Sequence, residues 1–465
     1  MLSFSSRYAR WLPILASAAL IFIILDLQHL RKVGTGIFKS EPLEIIIEPD
    51  HNSINPSNQT SQPDHKIPAS ASASCRPLPG IEDVLVIVKT GITESLEKIP
   101  VHVRTTLRCI PNVLIVSDFE EEIAGIRTHD VFRNMSDSVR ENQEFGLYNR
   151  ARKQGRAGLT EKDFVKVANT AAGMGDNPGW ALDKWKFLPM VVEARNYHPN
   201  AKWYFVLEAD TYPFWSNLLA WLEKFDSSKK WYLGNQMMIA GSIFGHGGSG
   251  FALSNGAINA VADEYTNRME SWHDRTMASW AGDCMLGIAL EEIGIKLTWS
   301  WPHVTGQSVW DQDAVNEAYG ERPWCHPPVT FHHMTPADIE MMYKFDTEWF
   351  DKNHSSLLYK DIFSRVVRPK LADLLHNWDN KAEGEQKKEG DEEAKWTLDE
   401  CAEACAKDTK CMQYRTDEAG TCKTSDLVLR GIPSPGVTAG TMMWRVDSKV
   451  HSLGECEKPE WVIPS

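Results

Sequence analysis

Two acidic residues at the end of an apolar run are the first feature of this chain that could do chemistry. Trp203 to Leu207 reads as a buried strand, and it stops at Glu208-Ala209-Asp210. In an open α/β sheet the carboxyl ends of the strands border the crevice where ligands bind, so these acids would stand at its edge. Carboxylates at i and i+2 can grip a hard divalent cation, which in turn neutralises a diphosphate. The plainer alternative is a helix cap or a turn. Further along, Gly247-Gly248-Ser249-Gly250 would let backbone come close to a ligand. Asp283 opens an apolar, helical segment, where it is either a cap or a general base at a pocket floor. His332 and His333 offer imidazoles that could complete a metal site.

These residues need elements to hold them. Ile81 to Val88 predicts a buried strand with Thr90-Gly91 as its turn, Ile99 to Leu107 a helix, and Val113 to Val116 a second strand ending at Ser117-Asp118. Thr160 to Met190 predicts a largely helical stretch. Strand, helix and strand make an α/β opening, and a second strand-to-loop junction carries acid.

Composition narrows the class. The chain has 465 residues, 42% hydrophobic and 24% charged, which excludes wholesale disorder, collagen and coiled coil. Its net charge of −14 argues against a nucleic-acid partner. Eighteen Trp is high for this length, and flat indole faces suit sugar rings as well as cores.

The N-terminus reads as a tail (1–10), a transmembrane signal anchor (11–27) and a Ser/Pro-rich stem (28–79). Residues 11–27 would span about 26 Å as a helix, close to the thinner membranes of the early secretory pathway. Ala16-Ser17-Ala18 lies inside the apolar run rather than after it, which favours retention over cleavage as a signal peptide. Arg7 and Arg10 allow a single-pass type II orientation in a Golgi or ER membrane, with the bulk of the chain lumenal. Sequons at Asn58, Asn134 and Asn353 and a cluster of five of the nine cysteines between Cys401 and Cys456 agree with an oxidising compartment. Nine is odd, so one thiol could stay free.

Taken together, the motifs resemble glycosyltransferase family 31, the Fringe and core 1 galactosyltransferase group, in its fungal branch. The resemblance runs from about Asp83 to His333. It rests on Val84-Leu-Val-Ile-Val-Lys-Thr-Gly91, Val116-Ser117-Asp118, the helix Leu182-Asp-Lys184-Trp-Lys-Phe-Leu-Pro189, Glu208-Ala209-Asp210-Thr211-Tyr212, Gly247 to Gly250 and Asp283-Cys284, in the family's order. It implies a GT-A fold, a Rossmann-like mixed sheet, in a catalytic domain spanning 80–375. It also implies Mn²⁺, with Mg²⁺ as the alternative, and a UDP-sugar donor. Asp210 then corresponds to the metal ligand and His332 to the histidine ligand, with His333 as the alternative. Glu208, Asp210, Gly247, Gly248 and Lys184 would lie on the donor, and Asp283 would be the base. The implied activity is inverting transfer of a hexose or N-acetylhexosamine to a glycan or glycoprotein acceptor, giving a β1,3-type linkage. Ala209 stands where the family has its central Asp, and Gly282 where relatives commonly have a second acid. The competing class is a non-catalytic carbohydrate-binding protein on a degenerate transferase fold. A glycosidase is disfavoured because no convincing second carboxylate accompanies the first.

Residues 376–395 read as a charged, solvated linker, and 396–457 as a small disulfide-rich module. The spacing of Cys401, Cys405, Cys411 and Cys422 resembles a PAN or apple domain, which implies an α+β unit contacting protein or glycan. Cys401 and Cys405 share one helix face, so both can reach strands behind it. Sequence does not set the pairing; Cys284 with Cys325, and Cys75 with Cys109, are candidate bridges.

Overall fold

In the computed structural model the described residues are 75–164, 177–388 and 395–463, all within the compact unit 65–465. The tail, the expected anchor at 11–27 and the stem as far as residue 74 lie outside them. Among the described residues no helix is long and apolar enough to cross a membrane.

The chain opens with strand β1 (Val84–Lys89), whose six residues are all buried, preceded by a short 3-10 turn at Ile81–Asp83 rather than by more strand. Helix α1 (Ser95–Arg104) follows, then β2 (Val113–Ser117), β3 (Glu122–Ile123) and β4 (Ile126–Asp130). Helix α2 (Gly146–Gln154) precedes α3 (Pro178–Tyr197). Of the helical stretch expected from Thr160, Glu161–Phe164 forms a 3-10 helix and the α-helix α3 begins at Pro178. Asn177 accepts the N–H of Trp180 and Pro178 occupies the first turn, a pairing that starts a helix; residues 165–176 lie outside the described set.

Next come β5 (Trp203–Glu208), β6 (Tyr212–Pro213), helix α4 (Trp215–Leu222), β7 (Tyr232–Gly234), the hairpin β8 (Gln236–Ile239) and β9 (Ser242–Gly245), and β10 (Phe251–Ser254). Helices α5 (Asn255–Asn267), α6 (Met269–Ala278) and α7 (Gly282–Glu292) lead to β11 (Leu297–Trp299), β12 (Thr330–Phe331) and α8 (Pro336–Asn353).

Among the described residues eight strands form one mixed sheet in the order β11-β7-β10-β5-β1-β2-β4-β3. β1 runs parallel to β2 and β5, and β10 is antiparallel to both β5 and β7. Side chains alternate across such a sheet. Leu85 and Ile87 pack with α2, α3, α5 and α7 on one face, whereas Val84, Val86 and Val88 pack with Ile99 of α1 and Leu218 and Trp221 of α4 on the other. A strand buried on both faces must be apolar throughout, which is why β1 and β5 were visible as continuous apolar runs. The mixed sheet with helices on both faces fits a GT-A-like fold.

The linker expectation for 376–395 is corrected. Leu374–Asp379 forms β13, Gly384–Glu385 forms β14, and both are strands of an antiparallel sheet ordered β13-β17-β15-β16-β14, with β15 at Gln413–Thr416, β16 at Cys422–Ser425 and β17 at Ile432–Thr441. Both misread segments are edge strands; polar, charged residues suit an edge and hide it from hydropathy patterns. Helix α9 (Leu398–Lys407), held by a Thr397/Glu400 capping box, is stapled to this sheet by Cys401–Cys422, while Cys405 bonds Cys411.

This C-terminal part is not detached. Val428 and Val446, the latter on helix α10 (Met443–Leu453), share a core with Trp324, Phe331 and Met334. The expected Cys284–Cys325 bridge is also corrected: Cys325 bonds Cys456, and Cys284 is a buried free thiol packed with Phe244 and Ala281. Cys75–Cys109 forms as anticipated. The segment after Cys456 is strapped down, with Trp461 stacked on His303 at 5.1 Å and the Val462 N–H donated to His303 Nε2. Because Cys325–Cys456 closes 131 residues of sequence separation, Cys456→Ser is expected to lower unfolding free energy by about 2–5 kcal/mol. Denaturant melts of both proteins without reductant would show it, and coincident curves would contradict it.

Candidate active site

The parallel strands β1, β2 and β5 all end on one edge of the sheet, and so do β7 and β11. Glu208 ends β5 there, and Asp118 and Asp210 lie just beyond β2 and β5. A short ladder then completes the cluster. β12 pairs antiparallel with β6, Phe331 opposite Tyr212, and the Met334 N–H bonds the Asp210 carbonyl. This register carries His332, the residue after β12, back over Asp210, two residues before β6.

The result is a compact donor set. Asp210, His332 and His333 each offer a ligand atom, all within 4.8 Å of one another. His332 Nε2 lies 3.3 Å from Asp210 Oδ1, and Lys98 Nζ lies 3.1 Å from Oδ2. Burial works to raise the pKa of Asp210, but His332 and Lys98 outweigh it and hold the carboxyl well below its usual range. Burial likewise opposes charge on His332, and the Asp210 carboxylate overcomes it, raising the imidazole. His332 Nδ1 is buried without a hydrogen-bond partner, and Asp210 Oδ1 has only the long contact to His332 Nε2. Buried polar atoms left in this state call for a ligand, and one carboxylate with two imidazoles suits a divalent transition ion.

Glycines make the site's shape. A Cβ at Gly248 would fall 2.2 Å from His332 Cε1 and 2.4 Å from Nε2, so only hydrogen fits there. Gly247 donates its N–H to Asp283 Oδ2 at 2.9 Å, and the Cys284 N–H reaches Asp283 Oδ1 at 2.8 Å. One dipeptide thus touches the metal-type cluster through Gly248 and Asp283 through Gly247, so the two aspartates border the same space. Burial pushes the Asp283 carboxyl up to about 6 despite those two N–H groups, and the nearby Glu208 charge adds to the rise. Gly248→Ala is expected to displace the His332 ring and weaken Mn²⁺ binding by about tenfold or more. Titrating the variant with Mn²⁺ by thermal shift would test it; unchanged affinity would show that the ring is not a ligand.

Other expected residues are placed differently. Glu208 pairs with Lys89 at 3.1 Å and lies outside the three-residue donor set. Lys184 points its ammonium to Glu144 at 2.7 Å and to the Ser279 carbonyl at 2.8 Å, a structural pin between helices. The cations among the acids are instead Lys89, which also meets Asp183, and Lys98, with Lys186 on Asp118 at 3.1 Å. None was picked out from the sequence. A lysine ending an otherwise fully apolar strand, as Lys89 does, was the available signal.

The two departures from the family pattern have physical reasons. Ala209 is buried in the apolar layer with Leu207 and Trp215, so its side chain faces away from the crevice. A Cβ at Gly282 would meet the Lys184 carbonyl oxygen at 2.3 Å and its Cα at 2.5 Å, so no acid fits where α7 crosses α3.

A cluster of candidate metal ligands and a buried carboxyl group thus share the carboxyl edge of a GT-A-like sheet. A family model described as Fringe-like matches residues 183–303, which hold Glu208, Asp210, Gly247, Gly248 and Asp283. The chain thus carries a Fringe-like domain at 183–303, which supports the Fringe-like family 31, a family of glycosyltransferases. No curated protein matches it.

Proposed function

We propose that this protein is a metal-dependent, inverting glycosyltransferase that moves a hexose or N-acetylhexosamine from a UDP-sugar to a glycan or glycoprotein, forming a β1,3-type linkage. The observation that carries the reading is the β6/β12 ladder, which sets His332 and His333 beside Asp210 with ligand atoms left unsatisfied. Asp210, His332 and His333 would hold the ion. Imidazole nitrogen favours Mn²⁺ over Mg²⁺, whose preferred ligands are oxygens. When bound, the ion supplies charge neutralisation for the departing diphosphate.

The chain's own groups do the rest. Asp283 takes the proton of the acceptor hydroxyl as that oxygen bonds to the anomeric carbon and the carbon–diphosphate bond breaks. Lys98 adds positive charge beside Asp210, where negative charge collects. The Gly247 N–H holds Asp283 in place, and Gly248 leaves room for His332.

Residues 11–27 are proposed as the anchor of a type II Golgi or ER membrane protein, and the stapled C-terminal sheet as a PAN/apple-like unit that contacts protein or glycan. A panel of UDP-sugars with and without Mn²⁺, read by thermal shift on the full-length chain, tests the central reading. A rise in melting temperature that needs both UDP-sugar and Mn²⁺ supports it. Glycan binding with no UDP-sugar binding at any Mn²⁺ level would make the protein a carbohydrate binder instead.

A further inference from the structure

The sheet edge that carries the site continues past it to a group of partly exposed aromatic rings. β7 and β11 are parallel, Trp299 pairing opposite Gly234, so Trp299 ends its strand on the same edge as Glu208. Trp301 follows it, and Tyr319 folds back from a tight loop. Trp299 and Tyr319 lie 5.2 Å apart, Trp301 and Tyr319 5.3 Å, and Trp299 and Trp301 6.5 Å between centroids. This is not core: Trp299 is 37% exposed and Tyr319 75%. Tyr319 also sits at a φ of 54°, a backbone conformation unusual for a bulky residue.

The cluster is wired to the site. Trp299 Nε1 donates to Asn235 Oδ1 at 3.3 Å, and the Asn235 carbonyl accepts the His246 N–H at 2.8 Å. His246 bonds Ser249 at 2.7 Å, and its ring lies 5.4 Å from that of His332. Trp299 is therefore linked to the metal-type cluster through Asn235, His246 and the His246–His332 ring contact. Three strand spacings separate β11 from β5, about 14 Å, too far for the sugar that accepts the transfer but within reach of the sugars behind it.

We infer that Trp299, Trp301 and Tyr319 form an outer acceptor subsite, which stacks the second and third sugars of an oligosaccharide while its terminal hydroxyl lies at Asp283. The inference rests on the transferase reading and adds to it that the acceptor is an oligosaccharide rather than a single sugar. Pyranose rings present C–H faces to aromatic rings, and the exposed indole and phenol offer such faces here, with Asn235 holding the Trp299 indole in place. A protein partner would need a wider apolar patch than three rings provide.

The experiment compares the full-length chain with Trp299→Ala, Tyr319→Ala, the double variant and the conservative Trp299→Phe. Each is assayed on immobilised mono- and tetrasaccharides of hexoses and N-acetylhexosamines, and beside that for UDP-sugar hydrolysis, which needs only water as acceptor. Wild type is expected to favour tetrasaccharides. Each alanine is expected to raise KM for them about tenfold with little change in kcat; hydrolysis and the Mn²⁺-dependent shift with UDP stay unchanged, and Trp299→Phe recovers most of the loss. A wild type indifferent to acceptor length, or alanine variants that keep the preference, would overturn the inference. Should wild type neither bind UDP with Mn²⁺ nor hydrolyse UDP-sugars, the transferase reading fails by itself. The subsite is then judged by tetrasaccharide binding on the same array: loss in the double variant keeps it and retention overturns it.

Discussion

Asp210→Asn is expected to reduce transfer at least about a thousandfold, the scale seen when a group stabilising charge in a transition state is removed. The reason lies in what Asp210 balances. Its carboxylate is the only acid in the donor set, with His332 at 3.3 Å and Lys98 at 3.1 Å. An amide of the same shape keeps the packing but cannot neutralise a divalent cation, so the ion would face two imidazoles and a lysine ammonium. Metal affinity should fall first, and UDP affinity with it, because the diphosphate would meet less positive charge. The thermal shift that UDP and Mn²⁺ produce together should vanish, and the melting temperature without ligand should fall as well, because the charge that pairs with His332 and Lys98 is lost. Wild-type transfer by Asp210→Asn, or an intact Mn²⁺-dependent shift, would remove Asp210 from the site.

How far the sequence exposes this site depends on how local the cause is. Trp203–Glu208 announces itself because a strand buried on both faces must be apolar along its length, and the acids that follow interrupt that run. Asp283 is legible for a similar reason, as a single charge at the start of an apolar helix. The meeting of His332 with Asp210 is not legible from periodicity, because it depends on a two-residue ladder between segments more than a hundred residues apart. Only the family pattern pointed to it. The lysines were hidden further still: Lys89 and Lys98 acquire their roles from partners on other elements, and a lysine in sequence looks like solvated surface. Lys184 was favoured by its motif over Lys186 two residues on, and only helix rotation distinguishes the one facing Glu144 from the one facing Asp118. Disulfide pairing was equally closed to inspection, since Cys456 crosses from the C-terminal part to Cys325.

Replacing Asp283 by Asn should separate activity from stability, moving them in opposite directions. Activity requires the carboxylate, and loss of a general base costs about a hundred- to ten-thousandfold in kcat. UDP and Mn²⁺ binding should be spared, because Asp283 lies outside the donor set. Stability follows the other sign. Burial holds the Asp283 carboxyl up at about 6, above the 3.8 of an exposed aspartate, so the folded protein prefers its neutral form. As pH rises from about 4 to about 6 the unfolded chain ionises this group before the folded one does, and stability contributed at acid pH is lost through that window. Above it the folded state carries a buried charge at a constant cost. Asn, neutral at every pH, escapes that cost. It supplies one oxygen for the two N–H groups of Gly247 and Cys284, which offsets the gain by about 1 kcal/mol. The diagnostic is therefore the trend: the melting temperature of Asp283→Asn relative to wild type should climb from about pH 4 to about pH 7, while wild-type kcat/KM climbs through the same interval. A flat difference in melting temperature, or a variant that keeps its kcat, would mean that this carboxylate only caps its helix and that the acceptor proton leaves by another route.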